Sequence, residues 1–192
     1  MTRFALMASR LSLVIAVGAP AQAQFPLYLD PDPERAAAEL GLGTPALAHL
    51  PREGTYTSTM AHNGTFRILR MWDERWQITY EMSGVSLSDS GDGPLHRASV
   101  RCLGASHVIR RVYDNDHGFC VHVRPDGDQA FTTYRAARTA GVGGTGTFTF
   151  VGGTGKLEGL TGGGEYSDTS PHPASTGSFH GYSKAKAIWK LP

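Results

Sequence analysis

The chain has 192 residues with 18 basic and 17 acidic side chains, 40% hydrophobic residues, 24 glycines, 11 prolines and two cysteines. That length supports a single domain with a real core. The balanced charge excludes a nucleic-acid binder, which needs a basic surplus, and the absence of any charge block excludes an interaction tail.

The amino terminus reads as an address. Arg3 and Arg10 form a positive front, Leu11–Ala19 is a short apolar run broken by Pro20, and Ala21-Gln22-Ala23 is a small-residue cleavage signal. This is the three-part pattern of a secretory signal peptide over residues 1–23, cleaved after Ala23. The run falls short of the ~20 residues a bilayer span requires, and no later segment supplies one. The expected product is secreted or periplasmic, with no membrane span. In that oxidising setting Cys102 and Cys120 are most simply a disulfide worth about 3 kcal/mol. The alternative, a reactive thiol or metal ligand, has no C-x-x-C spacing behind it.

Residues 24–53 read as a Pro-rich arm. Asp32 is placed to cap a short helix, Pro33 and Glu34 fill its first turn, and Gly41 or Gly43 ends it. From residue 54 to 192 the pattern changes to period two, with Thr, Val, Ile and aromatics in short runs between Gly, Asn, Asp and Pro. Tyr56–His62 and Phe66–Trp72 are expected as two strands around an Asn63-Gly64 hairpin turn. Trp76–Leu87 is the clearest strand, with Trp76, Ile78, Tyr80 and Met82 on one face and Glu81 on the other. Asp89–Pro94 is a loop, and Ala98–Leu103 and His107–Tyr113 read as separate strands. Phe119–Ala136 is a hairpin around Pro125-Asp126-Gly127-Asp128; calcium binding there would need more oxygen ligands.

Phe150–Gly164 (FVGGTGKLEGLTGGG) raises the question of a phosphate cradle. Lys156 follows Gly155, yet Phe150 stands where a P-loop's first Gly belongs and Leu157 where its hydroxyl residue belongs. Glu158 likewise replaces the third Gly of a dinucleotide fingerprint. Eleven glycines fall between Gly141 and Gly164, which suits turns and bulges. The expected pieces are a strand Gly146–Val151, a turn Gly152–Gly155, a short strand Lys156–Leu160, a turn Thr161–Gly164 and a strand Glu165–Ser167. The last strand alternates throughout: Phe179, Gly181, Ser183, Ala185, Ala187 and Trp189 share one face, while Lys184, Lys186 and Lys190 share the other. About eight antiparallel strands at regular spacing predict an all-β closed barrel.

The glycine-rich stretch resembles the hairpin of the allene oxide cyclase barrel-like group. Gly153, Thr154, Gly155, Glu158, Gly159, Leu160 and Gly162 fit its pattern, with Leu157 at the usually aromatic position. Gly118-Phe119-Cys120 and Asp126-Gly127-Asp128 are similar to the G-x-C and D-G-D of exported bacterial members. The resemblance covers roughly residues 54–190, and its motifs are turn motifs. It implies a calycin-like eight-stranded barrel. Plant cyclases of the group close an unstable fatty-acid epoxide into a cyclopentenone, and dirigent proteins share the barrel and steer radical coupling.

Three functions follow as expectations. The first is a barrel that binds a small hydrophobic molecule against Trp76, Ile78, Tyr80, Met82, Phe148, Phe150, Phe179 and Trp189, unless these simply fill the interior. The second is a cyclase or isomerase acting on an oxidised lipid-like substrate, which needs a polar or ionisable group inside. The third is a non-catalytic protein that forms a homo-oligomer through its outer sheet. Glu81 is a weak catalytic candidate, because it lies opposite the apolar face of its strand. The histidines show no H-E-x-x-H, and His117 and His122 differ in parity, so neither metal nor cofactor is expected. No G-x-S-x-G elbow accompanies Ser106 or Ser178. Asn63-Gly64-Thr65 matches a glycosylation acceptor only formally.

Overall fold

A computed structural model describes residues 50–172 and 175–192. The signal peptide and the helical arm lie outside the described residues, apart from the arm's last few. Eight strands run in sequence order: β1 (Glu53–Trp72), β2 (Arg75–Ser88), β3 (Ala98–Ile109), β4 (Val112–Val123), β5 (Gln129–Thr139), β6 (Gly143–Gly153), β7 (Thr161–Thr169) and β8 (Ser178–Lys190). Each pairs antiparallel with the next, and β8 closes on β1 from Glu53↔Lys190 to Thr65↔Ser178. The expected barrel is therefore present, closed and antiparallel.

Period-two faces explain which way each strand turns. Tyr56, Ser58 and His62 on β1, Ile78, Met82 and Ser86 on β2, and Ser183, Ala187 and Trp189 on β8 are buried. Lys184, Lys186, Lys190 and Thr79 between them are exposed. Glu81 points outward, where Arg101 of the neighbouring strand pairs with it at 2.6 Å.

Several local expectations are revised. Asn63-Gly64 makes no turn, and β1 runs straight through it. A Cβ at Gly64 would stand 2.6 Å from the Phe179 ring, so this glycine admits a cross-strand aromatic rather than a reversal. Ala98–Ile109 is one strand, and its reversal into β4 falls on Arg110-Arg111, both at positive φ (48° and 70°). Neither arginine advertises a turn. Gly155–Leu157 is a single 3₁₀ turn rather than a strand, and Thr161–Gly164 is already β7. The Pro125–Asp128 reversal is as expected, with Gly127 at φ 86°.

The two ends of the barrel differ. At one end Leu95, Leu157 and Leu160, all nearly or fully buried, pack on Tyr56, Phe150, Ala187 and Trp189. Burying each such side chain contributes roughly 1.5–3 kcal/mol. The Asp126 turn latches this plug. Lys156 Nζ donates to Asp126 Oδ2 at 2.9 Å, and the Lys156 amide donates to Asp128 Oδ2 at 2.9 Å. Lys156 is thus a structural tie, with no phosphate cradle around it. Arg124 braces the β2–β3 loop there by donating to the carbonyls of Gly93 and Pro94. Cys102 and Cys120 face each other across β3 and β4 and are disulfide-bonded. The opposite end, around the β1–β2, β3–β4 and β5–β6 reversals, is open.

Candidate functional site

The middle of the barrel holds charge. Arg138 of β5 lies between two carboxylates, its Nε 2.7 Å from Asp116 Oδ2 and its Nη1 3.1 Å from Asp168 Oδ2. Asp116 is 2% exposed and Asp168 5%. Asp168 also accepts from Ser170 Oγ at 2.8 Å and Ser183 Oγ at 2.9 Å. Tyr80 donates to Asp116 Oδ1 at 2.7 Å, and its hydroxyl lies 2.6 Å from that of Tyr134. His62 Nε2 stands 3.6 Å from Asp168 Oδ1, too far to be a hydrogen bond, and both of its ring nitrogens lack a partner.

Local backbone features place these groups. Arg138 and Asp168 occupy inward positions of regular strands, and Gly144 faces Arg138 across the β5–β6 ladder. Asp116 shares the inward parity of Cys120 and His122, and a bulge lies beside it. Between Tyr113 and Asp116, β4 advances three residues while β5 advances two, from Arg138 to Ala136. Asn115 takes φ 55°, a left-handed conformation that Asn tolerates better than most residues. The extra residue turns Tyr113 inward beside Asp116. The paired glycines Gly104 and Gly118 make room for the tyrosines: a Cβ at Gly104 would meet Tyr80 Oη at 2.5 Å, and one at Gly118 would meet Tyr134 Cζ at 2.6 Å.

Burial shapes the protonation states. It raises Asp116 above the usual carboxylate range, against the opposing pull of Arg138 and the Tyr80 hydrogen bond. It lowers His62, although Asp168 acts in the other direction, and it drives His122 down to about 4. Tyr80, Tyr134 and Tyr166 are all raised by burial. Asp116 therefore holds a proton more readily than an exposed carboxyl does.

Arg138 divides two spaces. On its inner side is a cavity of about 70 Å³ bordered by Met60, His62, Met82, Tyr134, Phe148 and Asp168. That is the room of a few water molecules. On its outer side, at the open end, is a pocket of about 320 Å³, at the lower bound for small-molecule sites. Phe66, Ile78 and Phe179 form its apolar wall, and Tyr80, Asp116 and Arg138 its floor. Tyr80 and Phe179 meet edge-on with centroids 5.8 Å apart.

The eight residues expected at a ligand site separate accordingly. Ile78, Tyr80 and Phe179 line the open pocket, and Met82 and Phe148 line the inner cavity. Phe150 and Trp189 belong to the plug at the closed end. Trp76 is half-buried and lines neither space. The charged residues were not anticipated. Arg138, Asp116 and His62 could have been found by extending the period-two faces along their strands, since they share parity with the buried Tyr134, Cys120 and Ser58. Asp168 gave no such signal, because it is the one fully buried residue of β7.

No protein-family model matches the chain, and no curated protein or solved structure shows a significant match.

Proposed function

We propose that the barrel binds a small, mostly apolar molecule carrying one polar group, seated in the pocket at its open end. The carrying observation is the division of that pocket into an apolar wall of Phe66, Ile78 and Phe179 and a polar floor of Tyr80, Asp116 and Arg138. Burial of apolar ligand surface supplies affinity at about 25 cal/mol per Å². The floor supplies orientation, because Asp116 and Tyr80 present an acceptor and a hydroxyl beside buried apolar surface.

The test compares 2-naphthol with naphthalene by fluorescence titration. The hydroxylated probe should bind at least tenfold more tightly, and Asp116→Asn with Tyr80→Phe should erase that preference while leaving naphthalene binding unchanged. Phe179→Ala should weaken both probes. If neither probe binds, or if Phe179→Ala alters nothing, the pocket is not the site.

A second reading rests on Asp116 itself. A carboxyl raised by burial and joined to Tyr80 is suited to general acid–base work on a bound ligand. Membership of the allene oxide cyclase barrel-like group, proposed from the glycine-rich pattern, points the same way, toward a cyclase or isomerase. Under this reading Asp116→Asn abolishes turnover while the apolar probe still binds. Secretion or periplasmic residence is proposed from the leader, and the disulfide is consistent with it.

A further inference from the structure

Two phenol hydroxyls and a carboxyl group stand in series at the waist. Tyr134 Oη lies 2.6 Å from Tyr80 Oη, and Tyr80 Oη donates to Asp116 Oδ1 at 2.7 Å. Tyr80 and Asp116 line the open pocket, whereas Tyr134 borders the inner cavity and not the pocket. A phenol carries one proton. With Asp116 ionised, Tyr80 spends its proton on the carboxylate, so Tyr134 is the donor in the contact between the two hydroxyls. A proton added to Asp116 falls on Oδ1, because Oδ2 faces Arg138 Nε at 2.7 Å. The order then reverses: the acid donates to Tyr80, and Tyr80 donates to Tyr134. In both states the protons of Tyr80 and Asp116 are used within the series, and what these two groups leave for a ligand is lone pairs. Arg138 directs its Nε to Asp116 and its Nη1 to Asp168 at 3.1 Å, with Nη2 3.5 Å from Tyr166 Oη.

We infer that the pocket selects a ligand whose polar group is a hydrogen-bond donor (a hydroxyl or an N–H) over one whose polar group is a carbonyl, and that Tyr134 sets this choice without touching the ligand. The inference rests on the open pocket being the ligand site, and it adds the polarity of the group that the floor accepts. A ligand carbonyl set against Tyr80 and Asp116 places lone pairs against lone pairs, and each acceptor left unpaired there keeps its full desolvation cost. A ligand hydroxyl finds an acceptor in either state. Tyr134 acts as a positioning residue. It takes up the Tyr80 proton whenever position 116 supplies one of its own, and without it that proton is free for the ligand. Gly118 permits the series, since a Cβ there would collide with the Tyr134 hydroxyl.

Calorimetric titration of the full chain with naphthalene, 2-naphthol and 2-acetylnaphthalene separates the outcomes. Naphthalene reports the apolar wall alone. 2-Naphthol should bind roughly tenfold or more tightly than 2-acetylnaphthalene, the worth of one buried hydrogen bond. In Asp116→Asn the amide carbonyl keeps Arg138, one N–H donates to Tyr80 and the other is left for the ligand. That variant should therefore reverse the order, with 2-acetylnaphthalene gaining roughly tenfold relative to naphthalene. Adding Tyr134→Phe should strengthen 2-acetylnaphthalene further while naphthalene stays unchanged, because Tyr80 then turns its proton to the ligand. A merely structural role for Tyr134 would move naphthalene equally. If naphthalene does not bind, the pocket falls as the ligand site and the donor rule falls with it. If naphthalene binds and 2-acetylnaphthalene matches 2-naphthol in the wild type, the pocket stands and the donor rule is overturned, in favour of Arg138 N–H groups that reach the ligand. If Tyr134→Phe adds nothing to Asp116→Asn, the role of Tyr134 is overturned.

Discussion

His122 shows how one buried side chain sets an acid limit. Its ring is buried, with Nε2 3.0 Å from the Thr132 hydroxyl and Nδ1 unpartnered. Its folded pKa of about 4 lies below the ordinary 6.5. The unfolded chain therefore binds the proton more readily. The contribution is fully present above pH 6.5 and is lost as pH falls toward 4, amounting to about 3 kcal/mol. His62 acts with the same sign. Asp116 acts with the opposite sign, because its raised pKa gives stability that is present at low pH and lost as pH rises through it. Urea denaturation of wild type and His122→Gln isolates the first effect. The stability difference between the two should change by about 3 kcal/mol between pH 7 and pH 4, with the variant less acid-sensitive. A constant difference would mean that the imidazole is not desolvated.

Within the strands, glycine makes space at some positions and bends the chain at others, and the two uses look alike in a sequence. Gly104 and Gly118 sit opposite each other in mid-strand and leave room for Tyr80 and Tyr134. Gly104→Ala should cost at least about 2 kcal/mol, in the range of an overpacked core. It should also displace the tyrosine hydroxyl pair, visible as a changed near-ultraviolet circular dichroism spectrum. Gly127→Ala, at a positive φ with open space around it, should cost only about 1 kcal/mol. The faces of β2 and β8 were legible because unbroken alternation extends over their full lengths. Asn63-Gly64 was misread because local turn chemistry was outweighed by pairing on both sides, with Met82 and with Phe179. Arg110-Arg111 was missed for the opposite reason. Two residues with no turn preference are held at positive φ by the ladder around them, aided by Arg110 Nε to Glu74 Oε2 at 3.0 Å and Arg111 Nη2 to the Ala140 carbonyl at 3.1 Å.

At the scale of the molecule, the barrel combines a hydrocarbon plug, a charged waist and an open mouth. The alternation, the strand number and the cysteine pair announced the envelope. They could not reveal the gradient along its axis, because that depends on which inward residues of eight strands fall at the same height. Phe150 and Trp189 share a face with residues of the site and yet fill the closed end. The disulfide ties adjacent strands below the waist, linking residues 18 apart. The double variant Cys102→Ser/Cys120→Ser should lose about 3 kcal/mol in urea denaturation. It should keep its preference for 2-naphthol at temperatures where it is folded, since neither sulfur borders the open pocket.

The seam between β1 and β8 joins the first strand of the wall to the last. A ribosome makes β1 more than a hundred residues before it makes Ser178–Lys190, so the wall cannot close until that strand has emerged. Until β8 is available, β1 offers a long unsatisfied ladder to any extended neighbour. Removing Ser178–Lys190 would therefore part the wall along the full length of that seam.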